Sequence, residues 1–105
     1  MDEPAVELLS RLWEEHVQRA FPPHLRGRDI DGEDLVLLDA FTAGGVSSVL
    51  SGHLDENRRG TLLVCLAALE KVLPSLGDEG GGAEYYERLH EMAVLAAELG
   101  NARPR

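Results

Sequence analysis

The sequence predicts an all-α fold, a small helical bundle of four main helices plus one short helix. The stretch Thr61 to Leu73 (TLLVCLAALEKVL) has no polar side chain from Leu62 to Leu69 and consists mainly of leucine and alanine, which favour helices. Two other stretches place apolar residues at three- and four-residue steps, as helices with one buried face do. At 105 residues, we expect one domain over residues 1–100 and a frayed C-terminal tail over 101–105.

The central stretch, Thr61 to Leu73, is too long for a typical buried strand and too short to cross a bilayer, which takes about 20 apolar residues. A helix that is apolar on every side needs cover on every side, so we expect it in the middle of the bundle. The single cysteine, Cys65, cannot form an internal disulfide and is expected to be a reduced thiol in the core.

The first helix is expected to run from about Pro4 to Ala20. Asp2 suits its N-cap, and Pro4 suits the first turn, where a missing N–H costs nothing. The apolar stripe of this helix consists of Ala5, Leu8, Leu9, Leu12, Trp13, Val17 and Ala20. The helix ends at Phe21-Pro22-Pro23, because a residue before proline is pushed out of the α region.

The second helix is expected over Glu33 to Ala43, with Asp31 as its cap and an acidic Asp34 three residues later. Gly44-Gly45 then leaves two possibilities. Either the helix breaks, since each glycine costs about 1 kcal/mol inside a helix, or it continues and the small residues let another helix approach closely. We favour a short third helix or a kinked continuation that crosses the central helix and ends at Gly52.

The start of the central helix carries an unusual charge pattern. Asp55 or Asn57 is expected to cap it, and its first turn holds Arg58 and Arg59. Two cations in the first turn of a helix oppose the helix dipole. A locally unfavourable arrangement without an evident structural gain hints at function. Arg58 and Arg59 are therefore candidate partner-binding residues, and the alternative is that they form salt bridges with nearby carboxylates.

The last helix is expected over Ala83 to Leu99, after a flexible glycine-rich linker, and Gly100-Asn101 suits its C-cap. Tyr85 and Tyr86 lie at its start. We expect one ring in the core and the other partly exposed, where an aromatic side chain would suit a contact with a partner. The alternative is that both rings straddle the edge of the core.

Glu87 and His90 form a Glu-x-x-His step, which places both side chains on one face of the last helix. Di-iron bundles use two such steps and two further glutamates. This chain has one step, so Glu87 and His90 are weak candidates, and we expect no metal, no cofactor and no catalytic residue. A second carboxylate or histidine from another helix near His90 would favour an enzyme.

Other motifs fail on spacing or context. The acidic run Asp29 to Asp34 lacks the glycine and glutamate positions of an EF-hand calcium loop, and we interpret it as a turn and a helix start. Ser47-Ser48 near His53 lacks the strand and glycines of a hydrolase nucleophile.

Charge and the start of the chain limit the possible partners. Ten Lys and Arg residues against 19 Asp and Glu residues give a formal charge of −9. Nucleic-acid binding depends on clustered positive charge, so we expect no nucleic-acid partner. No basic segment followed by an apolar one opens the chain, so we expect no signal peptide, no membrane association and a cytoplasmic location.

The predicted helices carry more apolar surface than a small domain buries easily, because the second and central helices are both apolar on most sides. The surplus can contact a second copy in a two-fold dimer, or it can form a groove for a helix of another protein. We therefore expect a small acidic cytoplasmic protein-interaction or regulatory protein without catalytic activity. It would act through helix faces, as a homodimer or with another protein.

Two alternatives remain open. The first is a small metal-dependent or cofactor-binding helical enzyme that uses Glu87 and His90. The second is an acidic nucleic-acid mimic or antitoxin-like neutraliser of a basic partner, which requires the carboxylates to be gathered on one face of the molecule.

Overall fold

The computed structural model describes residues 3–77 and 81–102 of the chain, and its architecture is the predicted all-α bundle of four main helices. The helices are α1 (Glu3–Gln18), α2 (Leu35–Ser51), α3 (Glu56–Val72) and α4 (Gly82–Ala102). Two short 3₁₀ helices, Pro23–Leu25 and Leu73–Ser75, and a two-stranded antiparallel sheet, β1 (Asp29–Ile30) and β2 (Glu33–Asp34), complete the described elements. The prediction of the fold class is confirmed.

Helix α1 is an edge helix that packs against α4 and α2. Leu9 is fully buried, and Leu12 and Trp13 are partly buried against the core, as the apolar stripe predicted. Leu8 and Val17 of the same stripe are exposed, because only one side of α1 is covered. The helix ends at Gln18, and the predicted cap Asp2 lies outside the described residues.

Residues 29–34 form a tight β-hairpin, where only a turn and a helix start were predicted from the sequence. Asp31 and Gly32 both have positive φ, 53° and 82°, and this is the backbone conformation of a type I′ hairpin turn. Asp34, and not Asp31, is the N-cap of α2, and its Oδ1 accepts a hydrogen bond from Leu37 N at 3.0 Å. Helix α2 therefore begins two residues later than predicted, at Leu35.

Helix α2 continues through Gly44-Gly45 as one helix. Of the two possibilities favoured from the sequence, the continuation therefore occurs and the short third helix is wrong. The close approach that was considered as the alternative does occur. A Cβ atom on Gly45 would lie 2.9 Å from Leu62 Cδ1, so the missing side chain lets α3 come near. Gly52, with φ 78°, ends the helix as predicted, and its N–H donates to Ser48 O.

Helix α3 is capped by Asp55, one of the two predicted caps, whose Oδ1 accepts from Arg58 N at 2.8 Å. The prediction that this helix is covered on every side is wrong. Helices α2 and α4 pack against it, and within the described part of the chain nothing covers the opposite side. Leu63 and Val64 are therefore exposed. The buried residues of α3 are Leu62, Cys65, Ala68, Leu69 and Val72.

Helix α4 supplies the largest share of the core, with Tyr85, Tyr86, Leu89, Met92, Ala93, Ala96 and Leu99 buried. It runs past Gly100 to Ala102, so the predicted C-cap is wrong. A Cβ on Gly100 would lie 2.7 Å from Leu54 Cδ2, so the glycine accommodates a close neighbour. Residues 78–80 of the predicted linker and residues 103–105 of the predicted tail lie outside the described residues.

Candidate functional site

The helical hairpin of α2 and α3 has two sides with different surroundings. Helix α4 packs against both helices on the inner side. On the outer side runs a groove of about 680 Å³, which we call the outer groove. Its apolar lining consists of Leu37, Leu38 and Phe41 from α2 and Val64, Cys65 and Ala68 from α3.

Three large apolar side chains of the outer groove are open to solvent. Leu37 is 51 % exposed, Phe41 is 56 % exposed and Val64 is 69 % exposed. Leu37 and Phe41 are four residues apart, so they lie on the same side of α2. A single exposed apolar residue is ordinary on a protein surface, but an adjoining group of them is typical of an interaction site.

Acidic residues accompany this apolar lining. Glu33, Asp34 and Glu56 are the charged residues that line the outer groove within the described residues. Lys71 Nζ lies 3.0 Å from Glu33 Oε2, and this salt bridge connects the β-hairpin to the last turn of α3. Asp34 and Glu56 are both exposed. The groove thus has an apolar floor and an acidic rim.

A smaller depression of about 400 Å³ shares Phe41 and Thr61 with the outer groove. Arg58 also lines it, and its Nη1 donates to His53 O at 3.5 Å. Of the two arginines predicted to bind a partner, Arg58 therefore lies beside the outer groove. Arg59 is half-buried and lines neither depression.

The serines near His53 use their hydroxyls within α2. Ser48 Oγ donates to Gly44 O at 3.0 Å, and Ser51 Oγ donates to Ser48 O at 3.3 Å. Hydroxyls that bond back to helix carbonyls are a common structural arrangement. The hydroxyls of Ser48 and Ser51 thus make structural contacts within α2.

Tyr85 and Tyr86 are both buried, with 4 % and 0 % of their surface exposed. The expectation that one ring is partly exposed is wrong, because α4 turns both rings toward the other helices. Tyr86 donates its hydroxyl hydrogen to the carbonyl of Leu35 at the start of α2. Neither ring offers the exposed aromatic surface on which the prediction of a partner contact depended.

Tyr85 belongs to a polar cluster that was not predicted from the sequence. His16 Nε2 lies 2.9 Å from Asp39 Oδ1, and Tyr85 donates to Asp39 Oδ2 at 2.9 Å. Burial raises the pKa of the Tyr85 hydroxyl, and the Asp39 carboxylate raises it further. The cluster joins α1, α2 and α4, and none of its three side chains lines the outer groove.

His90 of the Glu-x-x-His step has a partner on another helix. Its Nε2 lies 3.2 Å from Glu70 Oε2 of α3, which is one of the contacts expected to favour an enzyme. Glu87 is exposed. Residues 3–77 and 81–102 contain no group of three or more His, Cys, Asp or Glu side chains that could hold a metal ion. The pair of Glu70 and His90 alone falls short of the four ligands of a typical protein zinc site.

Cys65 lies at the bottom of the outer groove as a free, buried thiol. Burial raises its pKa, and the contact with Thr42 partly offsets that effect. A thiol with a raised pKa holds little thiolate at neutral pH and is a poor nucleophile. This position agrees with the predicted core thiol.

In the described part of the chain, no helix is long and apolar enough to cross a membrane. Comparison of the sequence and structure with models of protein families, with curated proteins and with solved structures gave no match.

Proposed function

We propose that this chain is a protein-interaction domain without catalytic activity and that it binds another protein chain through the outer groove. The observation that carries the proposal is the adjoining exposure of Leu37, Phe41 and Val64 along one groove. Both forms of the interaction expected from the sequence, a second copy and a different protein, would bury these side chains.

The apolar surface supplies a driving force of useful size. Complete burial of one such side chain stabilises an association by about 1.5–3 kcal/mol. Since the three side chains are each more than half exposed, covering them recovers on the order of 3–5 kcal/mol before the costs of association. That amount suits a reversible contact, whereas an obligate dimer buries a larger and more apolar interface.

The two alternative functions have less support. A metal-dependent enzyme would rely on the pair of Glu70 and His90, which lacks further ligands among the described residues. A nucleic-acid mimic needs its carboxylates on one face. The exposed carboxylates lie on α1, on the β-hairpin, on α3 and on α4. The proposed location is the cytoplasm, where a domain with one free thiol and no disulfide is common.

The test is a photo-crosslinking experiment in cells of the source organism. We would replace Val64 by p-benzoylphenylalanine and, as a matched control, replace Val17 of α1, which is 56 % exposed and lies away from the groove. The proposal predicts a discrete protein adduct from position 64 and none from position 17. The absence of an adduct at 64, or the same adducts from both positions, would refute it.

A further inference from the structure

We infer that the occupant of the outer groove is an amphipathic α-helix of another protein, with basic residues along the flanks of its apolar face. This inference rests on the proposed function and adds the chemistry of the partner. Two features support it, namely the packing of the hairpin and the charge of the rim.

The packing within the domain indicates that a helix fits. Helix α4 packs against α2 and α3 on the inner side, and its residues Leu89, Met92 and Ala96 are buried. The outer groove is formed by the same two helices, so its shape suits a second helix packed at the usual 8–10 Å between axes. A helix bound in a groove anchors apolar residues at positions i, i+3 or i+4, and i+7. Leu37, Phe41 and Val64 would contact those anchors.

The rim indicates that the helix is basic. Asp34 precedes α2 and Glu56 begins α3. The two helices run antiparallel, since Gly45 faces Leu62 while Thr42 faces Cys65. Asp34 and Glu56 therefore start their helices at opposite ends of the hairpin. Glu33 adds a third carboxylate beside Asp34, although Lys71 partly neutralises it. Lysine or arginine on both flanks of a bound helix would complement these charges.

The same charges disfavour a second copy of this chain. A two-fold contact places identical surfaces together, so each acidic rim would meet the other. The formal charge of −9 on each chain adds a longer-range repulsion. Arg58 does not reverse the charge at its end of the groove, because Asp55 and Glu56 lie three and two residues before it.

The experiment is a titration of the ¹⁵N-labelled protein with two synthetic helical peptides, followed by amide chemical shifts. The peptides share one apolar face of leucine and phenylalanine. One has lysine on its flanks, and the other has glutamate at the same positions. We expect the lysine peptide to shift the amides of Leu37, Phe41 and Val64 and to bind at least about tenfold more tightly at low salt, with a smaller difference at high salt.

A charge variant and a matched control measure how much the carboxylates of the acidic rim contribute to peptide binding. The triple variant E33Q/D34N/E56Q removes the three carboxylates, and asparagine at position 34 still caps α2. It should bind the lysine peptide about tenfold more weakly, because the three charge pairs between the rim and the peptide are lost. The control E87Q/E91Q/E98Q makes the same change in net charge on exposed positions of α4. It should bind as the natural protein does.

Three outcomes would overturn the inference while leaving the proposed function intact. These are equal affinity for the two peptides, equal loss of affinity in both triple variants, and a dimer by light scattering that the substitution F41D dissociates. Shifts confined to residues outside the groove would also overturn it. Failure of the proposed function appears separately, as the lack of a protein adduct from position 64.

Discussion

Replacing Gly45 by alanine is expected to destabilise the domain, whereas the same replacement at the neighbouring Gly44 is expected to stabilise it. Both glycines lie inside α2, so each alanine gains about 0.5–1 kcal/mol of helix preference. The two positions differ in what the new methyl group meets. Apart from its chain neighbours and the backbone of its own helix, an added Cβ on Gly44 meets no atom within 4 Å, while one on Gly45 meets Leu62 at 2.9 Å.

The size of the effect follows from the surroundings of Leu62. An added Cβ on Gly45 would lie 2.9 Å from Leu62 Cδ1 and 3.2 Å from its Cβ. Leu62 is 1 % exposed and has little room to move. Overpacking a core typically costs about 1–3 kcal/mol. When the gain in helix preference is subtracted, G45A should lower the free energy of unfolding by about 1 kcal/mol. G44A should raise it by the helix preference alone, about 0.5–1 kcal/mol.

The assay is urea unfolding followed by helical circular dichroism and by the fluorescence of Trp13, the single tryptophan. The variants should change the midpoint and leave the slope unchanged, as expected for a change in stability alone. The free energies of unfolding of G44A and G45A should differ by about 2 kcal/mol. In thermal unfolding, this difference should correspond to roughly 8 °C or more in melting temperature.

The same replacement in an L62A variant tests whether contact with Leu62 causes the destabilisation. In L62A, the Cγ and Cδ1 atoms near Gly45 are gone, so G45A should be less destabilising there than in the natural protein. Equal stabilisation by G44A and G45A in the natural background would refute the close approach of α3 at Gly45. The same conclusion would follow if L62A left the effect of G45A unchanged.

Two further predictions concern titratable side chains. Cys65 is free and buried and has a raised pKa, so it should react with a thiol reagent such as dithionitrobenzoate at least tenfold more slowly in the folded protein than in urea. Rapid reaction of the folded protein would contradict its burial. Burial, and then the Asp39 carboxylate, raises the pKa of Tyr85 and of Tyr86 above the ordinary value of 10.0. Below that value both the folded and the unfolded chain keep the phenolic protons. Above it only the unfolded chain releases them, so stability should fall as the pH rises past 10. In the folded protein, phenolate absorbance should show no ionisation of either tyrosine near the ordinary pKa of a tyrosine hydroxyl. Normal titration of both rings would contradict the prediction.

The amphipathic helices could be predicted from sequence because their apolar spacing has one physical interpretation. The stripe that contains Leu9, Leu12 and Trp13 packs as predicted. The tyrosines illustrate the limit of that method. Residues next to each other on a helix, such as Tyr85 and Tyr86, face different directions, and α4 is covered from more than one side. The spacing alone cannot show how many neighbours a helix has.

The β-hairpin was missed although its signal is present. Asp31-Gly32 is a dipeptide that favours a two-residue hairpin turn. The flanking strands are two residues each, too short to show alternation of apolar and polar residues. The sequence left open whether α2 breaks or continues at its glycine pair, since the cost of a glycine is local and the packing of Leu62 that offsets it is not visible in the sequence.

The candidate site was only partly predictable. A surplus of apolar surface follows from the composition of α2 and α3, and its location at Leu37, Phe41 and Val64 depends on which side α4 covers. The cluster of His16, Asp39 and Tyr85 was not predictable, because its members lie far apart in sequence and meet only where three helices converge.

The pairing of α1 with α4 affects how the chain folds during synthesis. Helices α2 and α3 are neighbours in sequence and can associate as soon as both have left the ribosome. Helix α1 packs mainly against α4, which begins at Gly82, and at about 5–20 residues per second the interval between the two helices is on the order of 3–13 s. Glu7, Glu14 and Glu15 lie on its exposed side, and their charges favour solubility during that interval. Helix α4 thus completes the core for α1 and for the α2–α3 hairpin together.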